Sequence, residues 1–185
     1  GVMVFRSKKK VFAPKARVSR GQPLSMWERY YERGLESFEK KAYDDALADL
    51  DEAISNNARI GELYATRGLI LLEMGNTDEA QDDLEYALKI DARQWLVHYV
   101  LGLKAYRNQE FDEAIKHLSN AQRFAPLRPE ILYARALANY EQGHMKRAEM
   151  DIDSAMQVME KKDKRQKDAK KFLKQVQSDL KSQKS

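Results

Sequence analysis

Three histidines and several adjacent acid pairs are the groups of this chain best suited to proton transfer or metal ligation. His98, His117 and His144 do not converge. On the helical reading developed below, they fall in a core column, on the outer face of a second helix and in a turn. Asp44-Asp45, Asp51-Glu52 and Asp82-Asp83 read as solvated helix starts or faces. The chain shows no recurring His, Asp and Ser constellation, no glycine-rich phosphate loop and no metal-ligand spacing. The absence of cysteine removes disulfides, thiolate zinc sites and thiol nucleophiles together. The expectation is a protein that is not an enzyme and holds neither a metal nor a cofactor.

The elements around these groups are built for packing. Hydrophobic residues make up 43% of the 185, enough for a core. No run of about 18 apolar residues occurs, so no helix of this chain is expected to span a membrane. Charge is polarised. Residues 1–25 hold seven bases and no acid, and residues 161–185 carry a net charge of +7; the stretch between them carries −10. Polarity of this kind bears on partners and solubility, not on fold. Gly1-Val2 reads as a cloning scar before Met3, or Gly1–Phe5 as the stub of a removed anchor. The cysteine-free composition fits a cytoplasmic or otherwise reducing location, with peripheral or N-terminally anchored membrane association left open.

A period of 34 organises the middle of the chain. Gly34, Gly68, Gly102 and Ala136 form one column, and Ala46, Ala80, Ala114 and Ala148 a second. Ala53, Ala87, Ala121 and Ala155 form a third, with Leu50, Leu84, Leu118 and Ile152 between. Antiparallel helices approach closely only where side chains are small. A mid-helix glycine costs about 1 kcal/mol against alanine, so three in register imply a packing gain that offsets it. Turn signals at Gly75-Asn76 and Gly143, acids at Asp44, Asp78 and Asp112 near helix starts, and Pro126 and Pro129 at a junction agree with this division. The spacing predicts helix pairs at 26–39/43–56, 60–73/77–90, 95–107/111–124 and 129–141/145–160. Ala169, Phe172, Leu173, Val176 and Leu180 then recur at helical spacing among Lys and Gln, which predicts a capping helix with a basic outer face.

The segments Tyr43-Asp44-Asp45-Ala46-Leu47, Thr77-Asp78-Glu79-Ala80 and Phe111-Asp112-Glu113-Ala114-Ile115, with Leu101-Gly102-Leu103 and Ala121 before Pro126, resemble the tetratricopeptide repeat signature. The likeness covers roughly residues 26–160. It departs where the family's early aromatic is Tyr30, Tyr64, His98 and Leu132, and where its terminal proline survives only as Pro126. The fold it implies is all-α: a right-handed α-solenoid of about four helix-turn-helix repeats (27–60, 61–94, 95–128 and 129–160). A basic, extended or disordered arm over 1–25 precedes it, and a basic capping helix and tail over 161–185 follows.

The function the resemblance implies is a protein-interaction adaptor or scaffold. In this family the first helix of each pair lines the concave surface. The implied groove holds Tyr31, Leu35, Phe38, Leu69, Leu72, Tyr99, Leu103, Tyr106, Tyr133, Leu137 and Tyr140. Leu35, Leu69, Leu103 and Leu137 follow the small-residue column where the family usually has a polar residue, and an apolar ridge beside tyrosines would suit an apolar peptide or a helix. The same leucines could instead pack between neighbouring first helices. Tetratricopeptide clamps for chaperone tails hold a carboxylate with Lys, Asn and Arg. The matching positions here are Tyr31, Leu35, Thr66, Leu96 and Val100, or Ala65, Leu69, Val100, Glu130 and Ala134, so no such clamp is expected.

Arg6, Lys8, Lys9, Lys10, Lys15, Arg17 and Arg20 make the N-terminal arm basic. Such an arm suits an acidic partner, nucleic acid or an anionic membrane. It could equally fold back on the acidic body or simply be solvated; alternatively the arm or the concave face could dock on another copy, giving a self-assembling homo-oligomeric module. Without interleaved aromatics, any nucleic-acid contact would be nonspecific and salt-sensitive.

Overall fold

The computed structural model describes residues 21–184. Nine helices and no strand occur among them. They are α1 (Met26–Glu39), α2 (Tyr43–Asn56), α3 (Gly61–Glu73), α4 (Thr77–Ile90), α5 (Trp95–Arg107), α6 (Phe111–Phe124), α7 (Pro129–Glu141), α8 (Met145–Val158) and α9 (Arg165–Gln183). The first eight coincide with the predicted pairs to within two residues, and α9 is the predicted capping helix. The expected basic arm, with Arg6, Lys8, Lys9, Lys10, Lys15, Arg17 and Arg20, lies outside the described residues.

Ser25 and Glu28 set the start of α1. The Ser25 backbone N–H donates to the Glu28 carboxylate at 2.7 Å, and its hydroxyl does so at 2.8 Å. That backbone donation holds the Glu28 carboxyl below the ordinary range. At the other ends of the first helices, one device repeats. Lys41, Gly75, Gln109 and Gly143 all have positive φ, at 59°, 86°, 62° and 79°. The next residue's N–H reaches back to the carbonyl five positions earlier: Ala42 to Ser37, Asn76 to Leu71, Glu110 to Ala105 and His144 to Asn139, each at 2.9 Å. This left-handed cap ends each first helix and turns the chain into the second.

The described chain falls into two compact units that divide between Val100 and Leu101, within α5. In the first unit, α1 packs on α2, α3 on α4, and α2 on α3. In the second, α7 packs on α8, with α6 against α7 and α9 against α8. The glycine column explains the close pairing. A Cβ on Gly34 would stand 2.6 Å from Leu50 Cδ2, one on Gly68 3.1 Å from Leu84 Cδ2, and one on Gly102 2.7 Å from Leu118 Cγ. The fourth copy carries Ala136, and there the facing leucine is replaced by Ile152. The alanines Ala46, Ala80, Ala114 and Ala148 are buried to 2% exposure or less, and the glycine sites approach the carbonyls of the first three.

Candidate functional site

The two kinds of helix differ in what surrounds them. The second helices α2, α4, α6 and α8 bury one stripe and expose acidic or polar residues on the other side. The first helices of the later pairs lack such a side. Gly61 to Leu71 of α3 are buried all round except at Arg67, and Pro129 to Asn139 of α7 are buried except at Arg135. A helix that is apolar on every side has to be covered on every side.

The expected groove residues sit at different depths. Tyr31, Leu35, Leu69, Tyr99, Leu103, Tyr133 and Leu137 are buried, whereas Phe38, Leu72, Tyr106 and Tyr140 are half-buried. In the first unit, the Tyr31 hydroxyl on α1 donates to Glu62 of α3 at 3.1 Å and lies at the same distance from the Thr66 hydroxyl. Tyr31 therefore packs between neighbouring first helices, and Phe38 rests against Tyr43 with ring centroids 5.8 Å apart. In the second unit, Tyr133 and Tyr140 receive α9. The Phe172 ring meets them edge-on at 5.8 and 5.4 Å. The Tyr140 hydroxyl donates to Asp179 at 2.6 Å, and Arg165 reaches the buried Glu130 at 3.3 Å. Burial pushes the Tyr133 phenol up to about 12, with the Asp168 charge a lesser contribution. Of the remaining groove residues of this unit, Leu103 and Leu137 are buried, and Tyr106 packs against the Leu137 cluster and meets Phe111 at 5.6 Å.

A polar ladder runs through the hairpins that sequence inspection did not single out. Arg33, Arg67 and Arg135 each grip an aspartate sixteen residues on. Arg33 Nη2 lies 2.6 Å from Asp49, Arg67 holds Asp83 through two bonds of 2.8 Å, and Arg135 holds Asp151 at 2.8 and 2.9 Å. Two of these arginines also reach back sixteen residues, Arg67 to Asp51 and Arg135 to Ser119. Asp49, Asp83 and Asp151 are buried, so the reading of Asp82-Asp83 as a solvated pair is corrected at Asp83, and Asp51 is ion-paired at the surface. In the third copy the two positions are Leu101 and His117, and the ladder is interrupted. The His117 Nδ1 is buried without a hydrogen-bond partner, and desolvation lowers its pKa. On the outer side of the first unit, Leu47, Asp51, Arg67, Leu71, Glu79, Asp82 and Asp83 line an open hollow of about 380 Å³, in which Arg67 is already engaged by Asp51 and Asp83.

Among the described residues, the three histidines lie apart. His98 lies on α5, His117 on α6 and His144 before α8, and no group of three metal-ligating side chains occurs among the described residues. No described helix is long and apolar enough to cross a membrane.

Helical hairpins in a 34-residue register, closed by small residues and left-handed caps, define an all-α repeat protein of the protein-interaction class. The chain belongs to the tetratricopeptide repeat family, whose model matches residues 65–129 and 99–158, together just over half of its length. Solved structures share the fold. MamA (residue 41 to its end) from Desulfovibrio magneticus RS-1 is 17% identical, with 86% of this chain and 98% of that one covered and a TM-score of 0.50. The Arabidopsis OM64 TPR domain is 21% identical over 64% and 96%, with a TM-score of 0.51. The first TPR domain of Spaghetti (RPAP3), bound to the HSP90 peptide SRMEEVD, is 15% identical over 67% and 95%, with a TM-score of 0.57. No curated protein matches the chain in sequence. Tetratricopeptide repeats typically serve as interaction scaffolds without catalysis.

Proposed function

We propose that this chain is a non-catalytic adaptor whose first-helix faces hold an apolar peptide or helix of a protein partner. The supporting observation is that the first helices leave apolar side chains only half-buried at Phe38, Leu72 and Tyr106, where a partner can cover them further, while the other expected groove residues are already packed within the chain. The way α9 lies on Tyr133 and Tyr140 is in keeping with this, because an aromatic anchor and a tyrosine hydrogen bond hold an amphipathic helix there. An acidic tail such as the one carried by the RPAP3 domain is not the expected ligand. The positions that would clamp a carboxylate are apolar, uncharged or acidic here, among them Leu96, Val100, Thr66 and Glu130.

Leu69 and Leu103 are too deeply buried to report on binding without unfolding. The half-buried Leu72 is the better probe, with the exposed Tyr86 of α4 as an outer-face control. Leu72→Glu in a chain that keeps its helical circular dichroism is expected to weaken partner binding by tenfold or more, on the order of the burial energy of one leucine. Tyr86→Glu is expected to leave binding unchanged. Equal losses from both, or loss from Tyr86→Glu alone, would place the partner on the outer face.

A further inference from the structure

Helix α9 has two unlike sides. Ala169, Phe172 and Val176 are buried, and Leu173 and Leu180 pack against the same core cluster. Facing away, every exposed residue from 161 to 184 is Lys, Gln or Ser, and nine of them are lysines. The stretch exposes no arginine, no acid and no aromatic residue. Its one arginine, Arg165, is held by Asp163 and Glu130, and Asp179 accepts from Tyr140 and Gln175. None of the nine lysines has an ion-pair partner among the described residues. Lys167, Lys170, Lys171 and Lys174 follow helical spacing and Lys181 continues them two turns on, a row about 20 Å long.

We propose that this lysine face docks on the surface of a membrane rich in anionic phospholipid. Five unneutralised lysines on one face of α9, with Lys161, Lys162, Lys164 and Lys184 flanking the helix, repel each other, and a surface of opposite charge relieves that repulsion. Lysine is a compact, strongly hydrated point charge that suits a diffuse negative field, whereas arginine supplies the fork that matches individual phosphates. The face has no aromatic on which a base could stack. Because the apolar side of α9 is buried along its length, the helix meets a plane with one side only. It has no apolar side free to insert among acyl chains, so the contact is peripheral and electrostatic.

Sedimentation of the full chain with vesicles tests this. Vesicles of phosphatidylcholine and phosphatidylserine are expected to carry the protein down at low salt and to release it as salt rises, while vesicles of phosphatidylcholine alone leave it in solution. The triple variant Lys167→Glu, Lys170→Glu, Lys174→Glu should bind the anionic vesicles on the order of a hundredfold more weakly. The matching glutamine variant should fall between the two. These side chains touch no partner, so both variants keep the helical circular dichroism of the parent. The proposal is overturned if the parent ignores anionic vesicles, if the triple variant binds them as well as the parent, or if duplex DNA or RNA binds more tightly at the same salt. Salt-reversible self-association that depends on the same lysines would also overturn it, by assigning the face to a second copy.

Discussion

Arg67 on α3 grips Asp83 on α4 through both Nε and Nη2, at 2.8 Å each, and so pins the two helices of one hairpin across their polar edge. The Asp83 side chain is only about 10% exposed and Arg67 25%. The Asp83 hydrogen bond is the largest influence raising the guanidinium pKa, against the opposing cost of burial.

Removing one member of that pair strands the other. Asp83→Ala is expected to destabilise the fold by about 2 kcal/mol, because the only ion pair left to the partly buried Arg67 among the described residues is its exposed one with Asp51. Urea unfolding followed by circular dichroism would measure this. A change below about 0.5 kcal/mol would show that the ladder contributes nothing beyond a surface pair.

The glycine column makes a second, sharper claim. Gly102→Ala would gain about 1 kcal/mol of helix propensity, yet its new Cβ would stand 2.7 Å from Leu118 Cγ, which is not the mobile tip of the side chain. A net loss on the order of 1 kcal/mol is expected. The fourth hairpin already pairs Ala136 with Ile152. The double variant Gly102→Ala, Leu118→Ile should therefore recover much of the loss, giving a favourable coupling term in a double-mutant cycle. Strict additivity would count against this packing account.

Alkaline pH should loosen α9. The Tyr133 phenol titrates near 12 in the folded chain and at 10.0 without its surroundings. An unfolded or undocked state therefore loses this proton first, so the contribution is intact below pH 10.0 and disappears between there and about 12. Thermal unfolding across that window should fall more steeply in the parent than in Tyr133→Phe, which has no phenol to ionise beside Phe172. Parallel profiles would show that Tyr133 is not buried under α9.

The fold was legible because its signals repeat. Small residues in a constant register pointed to paired helices, and Gly75 and Gly143 marked two of the four turns. The other two left-handed caps fall on Lys41 and Gln109, residue types that give no hint of positive φ. The arginine ladder escaped notice because its partners lie sixteen positions apart and its third rung is Leu101 and His117. The candidate site was legible in register but not in depth. Nothing in the spelling of Tyr31 or Leu69 says whether a neighbouring helix will cover it, and Tyr31 is taken up by Glu62 and Thr66. The stripe on α9 was visible as a helix, whereas its seat on Tyr133 and Tyr140 emerged only from tertiary packing.

Site-specific photocrosslinking tests the adaptor reading most directly. A photoreactive residue is placed in turn at Phe38 and Leu72 on the first helices, and at Tyr86 and Met150 on the exposed outer faces of α4 and α8. One protein partner is expected to crosslink at 38 and 72 and not at 86 or 150. Capture at 86 or 150 alone, with none at the first-helix positions, would contradict it.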